Sequence, residues 1–395
     1  MARKLDAAPR PTVYDVASRA GVSIATVSRV YRGPERVSEN SRRAVERAAR
    51  ELGYVPSASA RGLAAGRSGI IGLCFPDFDS ADDPLLDVSD GAVVVRDDPR
   101  HLEHASATDL YLSRIVQGVL AQARRSDPPL MVAVSTTSGS AQPIAELAGY
   151  VDGLITLSQT ISANDLAQIA RRIPVVVVAG PRMGDSFDHV TTQNHDAMRS
   201  LTSHLIDIHG IRELAYLGGP EDSPDDEQRF QGFGDALVSA GLARPDAPLD
   251  RGLFTRRGGH DAVRRLVRAG RLPRALVCGN DQMALAALEV LADEGFRVPD
   301  DVIVTGFDGL DAAELSSPRL TTVQQPILRL GHIALDLITD RLREPDRPPR
   351  SVVLGAEVLV RESCGCHPSD PGGVSTSMRE TPSRAASGIR TPPSR

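Results

Sequence analysis

Four side chains within six residues, Ile24, Ala25, Ser28 and Arg29, have the chemistry to read the edge of a DNA base. A guanidinium fork can take both acceptors of a guanine, and small or apolar groups can lie against thymine methyls. Their spacing puts them on the outward side of a short helix whose inward side carries Val27 and Val30. Ser23 is placed to cap that helix, and Thr26 and Ser28 offer hydroxyls to phosphate. Other residue sets carry less. Asp281, Asp308 and Asp311 suggest paired carboxylates for hydrolysis, but no nucleophile elbow, metal set or phosphate loop accompanies them. Gly218-Gly219-Pro220 is not a dinucleotide fingerprint. Cys364, Cys366 and His367 lie together, yet their spacing matches no standard zinc pattern and borders a polar tail. An enzyme is therefore not expected, and neither a cofactor nor a metal.

The elements that must hold the base-reading residues are legible around them. Residues 12–32 read as two short amphipathic helices joined by Gly21-Val22-Ser23, the geometry that lays one helix in a major groove. Thr12 followed by Asp15 marks the first helix start. Val13, Val16, Ala17 and Ala20 then share an inward face, leaving Ser18 and Arg19 toward water or phosphate. Gly21 permits the sharp turn. A third helix from about Glu39 to Leu52, capped by Ser38, supplies Val45, Ala48, Ala49 and Leu52 as its inward stripe. Amphipathicity alone would fit any small three-helix module that packs against a partner protein. Charge favours nucleic acid: residues 1–67 carry 13 basic and 6 acidic side chains, net +7 in a chain of net −6, which leaves −13 on the remainder.

The string from Thr12 to Val30 resembles the DNA-binding headpiece of the lactose/galactose repressor (LacI/GalR) family, T-x-x-D-V-A-x-x-A-G-V-S-x-x-T-V-S-R-V, at every specified position. The resemblance continues through Arg36-Val37-Ser38 and Gly53-Tyr54-Val55-Pro56. It implies a DNA-binding set of Thr12, Tyr14, Ser23, Ile24, Ala25, Thr26, Ser28, Arg29, Arg61 and Leu63, with Arg29 as the guanine contact. Residues 57–67 correspond to the family's hinge, which turns helical when two copies pair on the operator, with a leucine wedged into the minor groove. Leu63 takes that position, and Gly62 departs from the usual residue there, at a cost of up to about 1 kcal/mol in helix propensity. A plain Ala/Ser/Gly linker is the competing reading.

Beyond Gly69 the chain is α/β: an N-terminal all-α helix-turn-helix headpiece is followed by a core of two doubly wound parallel-sheet lobes. Apolar β-branched runs (70–75, 130–134, 154–157, 175–179, 214–217, 275–278 and 302–307) alternate with helical stretches near 109–125, 163–172, 195–208, 228–240, 259–269, 281–294 and 325–342. So many βα units exceed one sheet, and ligand belongs in the crevice at the strand carboxyl ends. A length of 395 residues accommodates the headpiece and both lobes, and 41% hydrophobic content suffices for their cores. Cys74 and Cys278 read as buried thiols in strands. No apolar stretch is long enough to cross a bilayer and residues 1–10 lack an apolar signal region, so a cytoplasmic location is expected. The expected division is a flexible N-terminus 1–11, headpiece 12–56, hinge 57–67, two-lobed core 68–367 and a disordered tail 368–395 without leucine heptads.

The resemblance extends to this core, which in the family is periplasmic-binding-protein-like. Val151-Asp152-Gly153, Arg229 before Gly232-Phe233, Asn280-Asp281, Gly306-Phe307-Asp308 and Leu320-Thr321-Thr322 look like family motifs in family order. It implies that Asp77, Arg229, Phe254, Asn280 and Asp308 line an effector cleft. A guanidinium, an amide and a carboxylate suit the hydroxyls of a carbohydrate. Phe254 fits either a sugar face or ordinary core packing, Arg229 a structural ion pair and Asp308 a turn. Two departures stand out in the core. Gln193-Asn194 replaces an Asp-Asn pair, and an Asp-rich insertion of roughly 25 to 30 residues, about 79–108, follows Asp77. The resemblance implies a homodimeric repressor of transcription that reads a pseudopalindromic double-stranded DNA operator under the control of a small-molecule effector, a sugar or sugar derivative. Two alternatives are a regulator responding to a purine or nucleoside, and a two-lobed solute-binding protein, which would need export and has no use for residues 12–67.

Overall fold

Alternating strands and helices organise the chain into a three-helix module and two lobes in a computed structural model, which describes residues 11–32, 36–54, 67–76, 110–126, 128–135, 142–158, 160–180 and 186–366. Arg61, Leu63, Asp77, His367, the 79–108 insertion and the tail from Pro368 lie outside the described residues. Helices α1 (Val13–Ala20), α2 (Ile24–Arg32) and α3 (Glu39–Leu52) pack around Val16, Val27, Val30, Val45 and Ala48, the inward positions expected from spacing. Gly21 sits at φ 68, the left-handed conformation that ends α1 and turns the chain into α2.

Lobe one begins with β1 (Ile71–Pro76), α4 (Leu110–Ser126), β2 (Leu130–Ser135), α5 (Gln142–Tyr150), β3 (Gly153–Leu157), α6 (Ala163–Ala170), β4 (Val175–Val178) and β5 (Asp188–Thr192). The chain then crosses to lobe two, which holds α7 (Asn194–Asp207), β6 (Leu214–Gly218), α8 (Pro224–Ser239), β7 (Asp250–Arg251), α9 (Arg256–Arg268), β8 (Ala275–Cys278), α10 (Asp281–Asp293), β9 (Ile303–Asp308), α11 (Asp311–Leu315) and β10 (Thr321–Gln324). It returns to lobe one for α12 (Ile327–Arg343) and β11 (Ser351–Leu354), and crosses back for β12 (Glu357–Leu359) and a 3-10 turn at Glu362–Cys364. The sheets run β11-β5-β4-β3-β1-β2 and β12-β10-β9-β8-β6-β7, and among their pairings only β10 with β12 is antiparallel.

The apolar runs are strands because both faces are covered: Val175 to Val178 are all buried, as are Ala275 to Cys278. Cys74 and Cys278 are 0% exposed, and burial pushes the Cys74 thiol up to about 11 and that of Cys278 higher still. Strands β5 and β10, which spacing did not predict, are rich in buried polar residues. Strand β5 reads Asp-His-Val-Thr-Thr, and its Asp188 is buried because Arg341 of α12 grips it with Nε and Nη2 at 3.1 and 2.9 Å. Among the described residues no helix is long and apolar enough to cross a membrane.

Candidate nucleic-acid interface and effector cleft

Burial sorts the residues of α2 as a reading helix requires. Val27 is 0% exposed against α1 and α3, whereas Ile24, Ala25 and Arg29 are exposed and Thr26 and Ser28 half-buried. Ile24, in the first turn of α2, is 42% exposed. Ser23 Oγ accepts the Thr26 N–H at 3.1 Å and lies 2.9 Å from Thr26 Oγ1, which fixes the start of α2. The Asp15 carboxylate accepts from both the backbone N–H and the hydroxyl of Thr12 at 2.7 Å, so the expected helix start is held from the acidic side. These bonds hold the Asp15 carboxyl below its usual range. Tyr14 projects beside it, 67% exposed. Arg19 faces water as expected, and its Nε and Nη2 both reach Glu51 Oε2 at 2.8 Å, so it also ties α1 to α3. Among the described residues no carboxylate holds Arg29.

In the core, Arg229, Phe254, Asn280 and Asp308 converge at the carboxyl ends of β8 and β9. Arg229, buried on α8, donates from Nη1 to Gly279 O at 2.7 Å and from Nε to Asn194 Oδ1 at 2.8 Å. Its guanidinium carbon lies 3.9 Å from the Phe307 ring centre and 5.4 Å from that of Phe254. The structural ion pair considered for Arg229 is thus replaced by a carbonyl, an amide and two rings. Asn280 caps α10 by accepting the Met283 N–H at 3.0 Å, and its Nδ2 donates to Phe254 O at 2.9 Å. Phe254 is half-buried against the lobe-two core, with φ 61. Asp308 is 3% exposed with φ 137, a backbone conformation that strains any residue except glycine. Its Oδ1 accepts from Gln325 Nε2 at 2.7 Å, and its carbonyl accepts the Gln325 N–H at 3.1 Å.

The three aspartates that suggested hydrolysis have separate duties. Asp281 is fully buried, accepting from Thr322 Oγ1 at 2.5 Å and from Leu310 N at 2.8 Å. Burial pushes its carboxyl up to about 6 against the pull of those hydrogen bonds. Asp311 is ion-paired with Arg114 of lobe one, and Asp308 holds Gln325.

Two residues bonded to this cluster, Asn194 and Asp225, carry no assignment from the sequence. Asn194, 1% exposed at the first crossing, accepts from Arg229 and donates from Nδ2 to Asp225 Oδ1 at 2.7 Å. Asp225 Oδ1 also accepts the Gly180 N–H of lobe one at 3.0 Å. The only sequence signal was the Gln193-Asn194 departure, whose asparagine links Arg229 to the lobe boundary.

The profile of bacterial regulatory proteins of the lacI family matches residues 12–57, and that of a periplasmic binding protein-like domain matches residues 202–364. The chain is 33% identical over 365 residues to the HTH-type transcriptional regulator CelR of Thermobifida fusca, which spans 90% of this chain and 98% of that protein. It is 28% identical over 355 residues to the HTH-type transcriptional repressor CytR of Escherichia coli (strain K12), spanning 89% and 96%. Among solved structures, a complex of the transcriptional regulator CelR with cellobiose matches at 31% identity and a TM-score of 0.63, over 90% of this chain and 100% of that one. The Lac repressor dimer bound to operator and the anti-inducer ONPF matches at 25% identity and a TM-score of 0.72, over 90% and 99%. These likenesses run through the helical module and both lobes, and the chain belongs to the LacI family of DNA-binding transcriptional regulators.

Proposed function

We propose that two copies of this chain bind a pseudopalindromic operator as a cytoplasmic repressor. In each copy α2 enters the major groove: Arg29 takes a guanine, Ile24 and Ala25 select by apolar contact, and Thr12, Tyr14, Ser23, Thr26 and Ser28 hold the backbone. A carbohydrate in the cleft, held by Arg229, Asn280 and Asp308 with Phe254 against one face, changes the angle between lobes and so the operator affinity. The observation that carries this reading is the sorting of α2, with Val27 and Val30 buried and Ile24, Ala25 and Arg29 exposed. Support for a sugar comes from the convergence of a guanidinium, an amide, a carboxylate and an aromatic ring, and from the cellobiose held by the CelR relative.

The test is a thermal-shift screen of cellobiose, other sugars, purines and nucleosides, followed by operator titration with each hit. A carbohydrate that raises the melting temperature and changes operator affinity by about 5- to 150-fold is expected. A response confined to purines or nucleosides overturns the carbohydrate assignment. No preference for any duplex over random competitor, with or without these compounds, overturns the whole.

A further inference from the structure

Two histidines at the end of α7 meet two cysteines near the end of the described chain. His204 lies in the last turn of α7, His209 in the turn before β6, Cys364 in the 3-10 turn and Cys366 two residues later. One ligand atom from each lies within 4.8 Å of the others. We propose that His204, His209, Cys364 and Cys366 bind one zinc ion that staples the carboxyl end of the core onto lobe two.

Four of the six ligand–ligand distances lie close to the edges of a zinc tetrahedron, and the remaining two are within 4.8 Å. Zinc bonds of about 2.05 Å to nitrogen and about 2.3 Å to sulfur place neighbouring ligand atoms about 3.35 Å apart for two nitrogens and about 3.55 Å for nitrogen and sulfur. The two Nε2 atoms are 3.2 Å apart. Cys364 Sγ and Cys366 Sγ lie 3.8 and 3.6 Å from His204 Nε2, and Cys366 Sγ lies 3.4 Å from His209 Nε2. Hydrogen bonding accounts for only part of this convergence: Cys364 Sγ can donate to Arg361 O at 3.2 Å, but His204 Nε2 has a single hydrogen-bonding position and faces three heteroatoms. A central cation satisfies all four groups at once.

Local chain geometry fits the same role. Gly365 at φ 96 makes the tight turn between the two cysteines, which puts both sulfurs on one side. Arg274 and the candidate ligands His209 and Cys364 line a shared cavity of about 260 Å³. Two nitrogens and two thiolates select zinc over calcium or magnesium, and four protein ligands leave no position for water, so the site is structural. Sequence spacing pointed away from it because Cys364-Gly365-Cys366 lacks the usual two-residue gap and its histidines lie 155 or more residues upstream.

The full chain, purified without chelator, should carry about one zinc by mass spectrometry of the metal. Exchange for cobalt(II) should give the intense visible bands of a tetrahedral ion together with thiolate-to-cobalt charge transfer. Cys366→Ser and His209→Asn, both at half-buried positions, should each weaken zinc binding by more than about 100-fold while circular dichroism keeps the helical signal. Absence of metal after zinc addition overturns the proposal, as does full zinc retention in the Cys366→Ser/His209→Asn double variant. The weak spectrum of octahedral cobalt, or a Cys364–Cys366 disulfide in protein isolated under reducing conditions, overturns it too.

Discussion

Arg29→Ala tests the reading helix with a magnitude that can be set in advance. Arg29 is exposed on α2, outside the Val16, Val27, Val30 and Val45 core, so its loss should change headpiece stability by no more than about 0.5 kcal/mol. A bidentate guanidinium–guanine contact discriminates by about 1 to 3 kcal/mol, and a twofold dimer makes it twice. The expected loss is therefore about 2 to 6 kcal/mol per operator, or about 30-fold to 20,000-fold in affinity. Fluorescence anisotropy on a symmetric operator, on versions altered at each base pair and across a salt series provides the measurement. Specificity should relax at one base pair per half-site while the salt slope stays nearly constant. Arg19→Ala is the control: Arg19 is committed to Glu51 at 2.8 Å, and its removal should leave base preference unchanged. Uniform weakening of Arg29→Ala on every sequence, with the salt slope reduced by about one per contact, would assign Arg29 to phosphate and refute the reasoning.

Asp308→Gly should remain at least as stable as Asp308→Ala in urea melts, because only glycine relieves the strain at φ 137, and both should keep operator affinity while losing the effector response; a retained response removes Asp308 from the cleft. Arg341→Ala strands the Asp188 carboxylate, whose side chain is 0% exposed, and should cost about 3 to 5 kcal/mol in urea unfolding; a loss under 1 kcal/mol would show that water or the Arg350 N–H already satisfies it. For Asp281 the folded value of about 6 exceeds the ordinary 3.8, so the folded state binds more protons between them. Its stabilising contribution is complete below about pH 4 and lost as pH rises through 6, and Asp281→Asn should flatten that part of the stability profile measured by urea melts from pH 4 to 7.

What the sequence makes legible depends on where the cause of each element lies. Helices α1 and α2 could be read because three- and four-residue spacing, Ser23 and Gly21 all act within one turn. The apolar strands could be read because burial on both faces leaves an unbroken Val/Ile/Leu run. Strands β5 and β10 escaped because their polar residues are buried by distant partners, Asp188 by Arg341 and Thr322 by Asp281. The candidate cleft residues Arg229, Asn280 and Asp308 were named through motif resemblance alone. Asn194 and Asp225 act across the lobe boundary, and the pairing of His204 and His209 with Cys364 and Cys366 exists only after lobe two has closed on itself.

The stretch from Asp308 to Asp311 connects the proposed effector site to contacts between the two lobes. Asp308 holds Gln325 through side chain and backbone, and Gln325 stands in the second crossing between lobes. Two residues on, Leu310 is 2% exposed within the lobe-one core cluster, and its N–H is held by Asp281 of lobe two. The next residue, Asp311, meets Arg114 on α4, but its carboxylate is 80% exposed, so that ion pair resists separation by no more than about 1 kcal/mol. Among the described residues the lobes are joined by chain crossings, the Leu310 plug, the Asn194–Asp225–Gly180 hydrogen bonds and the exposed Arg114–Asp311 pair. A coupling energy of about 1 to 3 kcal/mol, ordinary for an effector, is comparable to the resistance such contacts offer. A ligand that pulls on Asp308 would thus shift Gln325 and Leu310 together, and the strained φ at Asp308 lies at the point where both connections begin.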